Sequence, residues 1–386
     1  MKKGIISTWI GLSLLLGACE FESYDDYQLP EYDGRFVWEQ VVKHADWENR
    51  IDHAAVVFNG KIWIVGGYNP GENSGDTYYE DVWSSNDGEH WILENEDAPF
   101  KGRRGHGLVV FNDGSQDAMY LIGGFCVNEA NGHREYRNDV WKSFDGISWT
   151  EVKVQSEALD DQGQLIDWYP RMNHGCVVAE HNGQKYMYII GGFSQIPDVS
   201  GRYSMEYFND VWRSTDGVTW ENLPNNDYGI RAEQAIAVEP GTNKIYMQGG
   251  SHGVVFDSEF GSSHPTEDWN QVWSSEDGIT WTPEIDSTFN QAYLWRVDHQ
   301  MIFYHGSMWV LPGKNNSNVH YHFTYDSNFP IWFLDEYKNW WVDSEGDAFD
   351  ARHAYATVVF QDKVWILGGF TNRNGQANDV WAGTIN

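Results

Sequence analysis

Residues 62–91 read IWIVGGYNPGENSGDTYYEDVWSSNDGEHW. An apolar run stops at Gly66-Gly67, a variable stretch leads to Val82-Trp83, and an Asp87-Gly88 turn precedes Trp91. The same landmarks recur as Gly123-Gly124, Val140-Trp141, Asp145-Gly146 and Trp149, and again as Gly191-Gly192, Val211-Trp212, Asp216-Gly217 and Trp220. A fourth copy has Gly249-Gly250, Val272-Trp273, Asp277-Gly278 and Trp281, and a degenerate fifth has Pro312-Gly313, Ile331-Trp332 and Trp340. The sixth has Gly368-Gly369 and Val380-Trp381, after which the chain stops at Asn386 without its closing Trp. That Trp stands at the other end, in Phe36-Val37-Trp38. A repeat of this length, made of short strands and Gly-rich turns, reads as an all-β, six-bladed β-propeller. Pairing the N-terminal strand with the last blade removes the ring's open sheet edge.

Each copy parses into four strands. The first follows an Arg and, three residues on, a His or substitute, as in His53-Ala54-Ala55 and His106-Gly107-Leu108. The residue after the His position is small in most copies, which suits the crowded innermost strand near a central axis. A tight turn such as Asn59-Gly60 or Asn182-Gly183 follows, a strong hairpin signal. The second strand ends at the Gly pair, whose backbone freedom residues with a Cβ lack. The third carries Val-Trp and the fourth opens at the last Trp.

These residues resemble the kelch family over about residues 36–386, on the Gly-Gly pair and the aromatic pair of the outer hairpin. In fold this resembles the N-acetylneuraminate epimerases and the central domain of galactose oxidase. The turn Ser214-Thr215-Asp216-Gly217-Val218-Thr219-Trp220 is longer than a usual kelch turn and is similar to the Asp-box of sialidase propellers, one residue short. The Asp-box is a structural turn and implies no sialidase chemistry. The ligand set of galactose oxidase is absent, and no cofactor or metal is expected. His320-Tyr321-His322 places two imidazoles on one side of a strand without a third ligand.

The first residues read as an address. Lys2 and Lys3 precede an apolar run from Ile5 to Leu16, too short for a permanent membrane helix, ending in Leu16-Gly17-Ala18-Cys19. This resembles a bacterial lipoprotein signal over residues 1–18 with Cys19 as the lipidated residue. The acidic stretch 19–35 reads as a flexible tether and resembles the signal that exports lipoproteins to the outer surface of Bacteroidetes-type cells. An outer-membrane, surface-exposed monomer is the expectation, held to the membrane by the lipid alone. The formal charge of −32 argues against nucleic acid or an anionic surface as partner.

In a four-stranded meander the 2–3 and 4–1 connections share one face, and the length variation falls there: Phe125 to Asn138, Phe193 to Asn209, Ser251 to Asn270, and the segment between Trp149 and Arg171. Binding lives on such loops. The same face receives Arg50, Arg103, Arg171, Arg231, Arg296 and Arg352, with His53, His106, His174, Gln234, His299 and Tyr355 three residues on. A guanidinium ring at the channel mouth suits carboxylates or phosphates. Asp81, Asp139, Asp210 and Asp379 are candidate partners if the arginines are architectural instead. Trp168 and Trp295, in inter-blade segments where nothing in the repeat requires them, are candidate stacking surfaces for sugar rings. Cys126 and Cys176 are expected as free thiols, with a bridge as the alternative. The expected function is a lipid-anchored, non-enzymatic binding module for a glycan or an acidic ligand. The alternatives are an isomerase resembling the sialic acid epimerases, with Glu233 as acid/base, and a protein-interaction scaffold.

Overall fold

The computed structural model describes residues 36–385 except 72–74, 129–132, 161–162, 198–202, 225–227, 252–255, 258–261, 264–270, 285–295, 315–330, 335–339, 344–348 and 372–374. These residues form an all-β propeller with no α-helix among them. The first sheet joins Ala54–Phe58, Lys61–Val65, Val82–Ser85 and Ile92–Asn95 in chain order. The next joins Gly107–Asn112, Asp117–Asn128, His133–Ser143 and Thr150–Lys153. Two more follow, Gly175–His181, Gln184–Ile190, Val211–Ser214 and Glu221–Leu223, then Ala235–Val238, Ile245–Gln248, Val272–Ser275 and Thr282–Pro283. Met301–Tyr304, Ser307–Val310, Ile331–Leu334 and Trp340–Asp343 form another, so the copy with the damaged Gly pair keeps its four strands. The last joins Ala356–Phe360, Lys363–Thr371 and Gly375–Ile385, and its outer strand is Phe36–Val42. Phe36 lies opposite Ile385 and Trp38 opposite Gly383. A Cβ on Gly383 would sit 2.6 Å from the Trp38 ring, so the glycine there leaves room for the tryptophan.

The repeated residues are explained by what one sheet presents to the next. Gly66 and Gly67 have φ of +63° and +109°. A Cβ on Gly66 would lie 2.9 Å from His106 Cε1 of the following sheet, and one on Gly67 2.8 Å from His53 Cβ of its own. The Asp-Gly turn is equally determined. Ser85 Oγ accepts from the amide of Gly88 at 2.8 Å, and Asp87 Oδ1 accepts from those of Glu89 and His90 at 2.8 Å. A side chain at Gly88 would strike the ring of Trp365 in the last sheet, and one at Gly146 the ring of Trp63. The second-strand aromatics Trp365, Trp63, Tyr120 and Tyr188 are thus the seats for a neighbour's turn.

Apolar packing runs between sheets. Trp63, Val65 and Val82 pack with Met119, Leu121 and Trp149. Ile62 and Ile64 pack with Trp365, Leu367 and Val380, joining the first sheet to the last. Aromatic surface dominates these contacts, which is the use made of the chain's many Trp, Tyr and Phe.

Two of the long connections differ from the irregular loops expected. Asp117–Asn128 and His133–Ser143 stay paired out to Asn128 opposite His133, and Phe193–Pro197 pairs with Tyr203–Tyr207. Alternating aromatics, Phe125 and Tyr136 or Phe193 and Tyr207, give these segments a face to bury and make them hairpins.

Candidate ligand-binding site

The predicted arginine ring is a layer of buried braces. Arg50, Arg103, Arg171 and Arg296 are 0% exposed, Arg352 1% and Arg231 4%. Arg50 donates to both carboxylate oxygens of Asp81, at 2.5 and 2.8 Å, and to the carbonyl of Gly66 at 2.9 Å. Arg103 engages Asp139, Arg171 engages Asp210 and Arg352 engages Asp379 in the same two-pronged way. The indole of the following Trp donates to the same carboxylate, at 2.7 Å for Trp83 on Asp81. Each brace therefore ties the residue before the first strand to the third strand of its own sheet. Arg231 donates to the carbonyls of Gly249 and Tyr228, and Arg296 to that of Leu311 at 3.0 Å. Burial pulls Arg296 down to about 10. Guanidinium groups committed inward in this way do not face a ligand, which corrects the sequence reading.

The histidines lie beneath the mouth as well. His53, His106, His174 and His299 are between 2% and 8% exposed. Burial, with the neighbouring Arg, lowers the first three to about 3 and takes His299 well below the usual histidine range, so all four are neutral. At the same position Gln234 Nε2 donates to the carbonyl of Ile190 at 2.8 Å, and the Tyr355 hydroxyl donates to that of Pro312 at 2.7 Å. The first bond reaches the last residue of the second strand of the preceding sheet and the other a residue just beyond it, so this layer stitches sheets together.

Trp168 is 0% exposed and packs edge-on against Trp220. It holds a repeated position after all. Trp47, Phe100, Tyr228 and Phe349 stand three residues before their arginines and are equally buried, four of the five aromatics having a guanidinium 5.4–5.9 Å from the ring. Trp295, Cys19 and His320 to His322 lie outside the described residues. Cys126 and Cys176 are free thiols.

Above these layers a ring of main-chain hydrogen bonds outlines the mouth. Gly105 donates to Asp52 at 2.9 Å, Asn173 to Gly105 at 2.8 Å, and Glu233 to Asn173 at 3.0 Å. Asp298 donates to Glu233 at 3.1 Å, Ala354 to Asp298 at 3.0 Å, and Asp52 to Ala354 at 3.0 Å, which returns to the start. All six adopt left-handed conformations, φ between +52° and +62°. Only one is a glycine. Holding five residues with side chains in this region costs about 1–3 kcal/mol each, a strain that marks functional positions.

The side chains set on this frame differ from sheet to sheet. Asp52, Glu233 and Asp298 are carboxylates where other copies have Gly105, Asn173 and Ala354. The preceding positions carry Arg104 and His353 where others have Ile51, Met172, Ala232 and Val297. The partners across from those positions are Tyr68, Phe125, Phe193, Ser251, Lys314 and Phe370. One side of the mouth is thus aromatic. Tyr68 and Tyr78 are 4.8 Å apart between ring centroids, Tyr78 and Phe125 5.9 Å, Phe125 and Tyr136 5.0 Å, and Tyr136 and Phe193 6.0 Å. The other side is polar, with Glu233 accepting from Ser251 Oγ at 3.1 Å and Asp298 lying 3.6 Å from His353 Nδ1.

Arg104 joins the two halves. Its guanidinium lies 4.5 Å from the Tyr68 ring centre and 5.6 Å from that of Phe125, and one amino group donates to Asp52 at 3.2 Å. Its Nε has no hydrogen-bond partner among the described residues. Burial, reinforced by Asp298, pushes Glu233 up to about 8, and burial with Asp52 nearby takes Asp298 to about 7. Burial and Lys314 lower His353 to about 4. The mouth therefore offers one carboxyl that stays protonated at neutral pH, Glu233, beside a fixed cation, a set able to grip a hydroxyl-rich molecule bearing a negative charge. The sequence signal for these residues was their departure from the repeat.

Residues 49–83 match the model of the kelch motif. Over 363 residues, 91% of the chain, the sequence is 21% identical to the Drosophila melanogaster leucine-zipper-like transcriptional regulator 1 homolog, of which the match covers 32%. The chain thus spans about a third of that relative. The fold is similar to the solved structure titled "Structure of YjhT", with a TM-score of 0.58 and 14% identity over 89% of this chain and 99% of that one.

Proposed function

Taking the chain as a kelch-repeat β-propeller, we propose that it is a non-enzymatic binding module that takes an acidic sugar at the channel mouth. The observation that carries this reading is the placement of Arg104, Glu233, Asp298 and Asp52, ionisable at positions where most other copies are not, opposite the run of rings from Tyr68 to Phe193. The half-buried Tyr78 and Tyr136, backed by the buried Phe125 and Phe193, offer faces to a sugar ring, the protonated Glu233 donates to a hydroxyl oxygen, and the Arg104 guanidinium takes the carboxylate. We read the sheets as a closed ring of six blades. The six-membered hydrogen-bond cycle and the pairing of Phe36 with Ile385 support that count. A lipid on Cys19 would hold the ring at the outer cell surface through the acidic tether 19–35, a reading supported by the apolar run and its Leu16-Gly17-Ala18-Cys19 ending.

Calorimetry with wild-type protein and Arg104→Ala on acidic sugars selected from a glycan array tests the ligand class. Binding lost in a folded Arg104→Ala sustains it, and unchanged binding removes it. Palmitate labelling that persists in Cys19→Ser would remove the anchor.

A second reading, an isomerase acting on a sugar carboxylate, is favoured by one observation. Glu233 at about 8 and Asp298 at about 7 are poised to exchange protons near neutral pH. Acceleration of sialic acid anomer exchange, followed by NMR and abolished by Glu233→Gln, would establish it.

A further inference from the structure

The aromatic side of the mouth does not end at the mouth. Tyr78 belongs to it through Tyr68 and Phe125, and Tyr78 also lines a groove of about 640 Å³ that runs outward over the loop-rich face. That volume falls in the range of small-molecule sites. One wall is the strand Asp76–Tyr78, with Thr77 exposed. The other is the connection to the second sheet, with Asp97, Lys101 and Gly102.

Two local features shape the groove. Gly102 lets its two walls approach closely, since a Cβ there would run into the main chain of Tyr78. Lys101 holds a left-handed conformation, φ +58°, which turns the chain sharply beside the floor. The lining combines the Thr77 hydroxyl, the carboxylates of Asp76, Glu80 and Asp97, the Lys101 ammonium and the edge of Tyr78 with apolar surface from Ala98, Pro99 and Val127. Such a mixture matches a chain of sugar rings, with polar groups for the hydroxyls and an aromatic face for one ring.

We propose that the ligand is an oligosaccharide, whose acidic terminal sugar sits at the mouth beside Arg104 and whose chain leaves through the groove between Thr77 and Asp97. This rests on the mouth reading above and adds the length and direction of the ligand. A second groove of about 380 Å³ begins at Tyr136 and is lined by Gln195, Glu157 and Leu159. It is the smaller exit and serves as the internal control.

The test compares N-acetylneuraminic acid with its linear tetramer, and galacturonic acid with tetragalacturonate, by calorimetry on the full chain. For the sugar that binds, the tetramer binds at least tenfold tighter than the monomer. Thr77→Trp, a bulky change on an exposed position, brings the tetramer down to the monomer's affinity and leaves the monomer unaltered. Gln195→Trp changes neither. Equal affinities for monomer and tetramer in the wild type would overturn the groove while leaving the mouth intact. So would loss of the tetramer's advantage in Gln195→Trp with none in Thr77→Trp. Failure of every monomer and tetramer to bind would remove the mouth reading and the groove together.

Discussion

Arg103 and Arg104 are chain neighbours in the same two-residue strand, yet their environments are opposite. Arg103 is wholly buried, with both amino groups on Asp139 and its Nε on the carbonyl of Phe100. Its equivalents recur in every copy of the repeat. Arg104 is partly open, stacked on Tyr68 and Phe125, with one bond to Asp52, and no other copy has an arginine there. In a repeat protein the recurring charged residue does the work each unit shares, which is holding a sheet to itself and its neighbour. What a ligand meets is carried by the positions where the copies disagree.

The largest effect expected separates these two residues by stability. Arg103→Ala removes the two-pronged partner of the buried Asp139, which keeps Arg137 at 3.1 Å, and costs about 1.5–3 kcal/mol in denaturant unfolding. Arg104→Ala, whose pair with Asp52 reaches solvent, costs about 1 kcal/mol or less. Equal costs would break the division between brace and contact.

Affinity should show the reverse order. For an acidic sugar, Arg104→Ala is expected to weaken binding about tenfold to a hundredfold, the loss of a hydrogen bond to a charged group. Arg104→Lys, which keeps the charge but not the planar fork, recovers part of it. Titration calorimetry reads both.

A third comparison sets two glycines against each other. Gly124→Ala combines a φ of +100° with a Cβ 2.8 Å from that of His106, and about 2–3 kcal/mol of destabilisation is expected. Gly60→Ala, with φ +72° and open space around it, costs about 1 kcal/mol. Thermal melts of the two variants sharpen the distinction between strain and crowding.

A fourth comparison is in pH dependence. Glu233 is raised to about 8 in the folded chain by burial, so the native state holds a proton that the unfolded state has lost above the usual glutamate range. Its contribution is complete at pH 4 and declines as pH rises toward 8. Glu233→Gln is therefore expected to melt progressively higher relative to wild type between pH 5 and pH 8. A gap constant with pH would mean that Glu233 is ionised in the native mouth.

Much of this was legible before any coordinates. The all-β repeat, the Gly pairs, the pairing role of Asp81, Asp139, Asp210 and Asp379, and the free thiols all follow from landmarks with local physical causes. Trp168 was misread because its period runs through segments of differing length, hiding its kinship with Trp47 and Phe100. Of the mouth residues Glu233 was named from the sequence, while Arg104, Asp52 and Asp298 were missed for a related reason. Asp52 and Asp298 are unremarkable acids in an acidic chain, and nothing near them in sequence shows that they converge.

What the amino-acid sequence determined alone is the unit: four strands, their turns, and the residues one sheet must offer the next, because these depend on contacts within a few tens of residues. Only the tertiary structure decided which arginines are buried and which one is open, and that Asp52, Glu233 and Asp298 influence one another across the frame. The physical reason is that burial and electrostatic coupling depend on distances between units far apart in the chain. Those distances exist only once the sheets are arranged around a common axis.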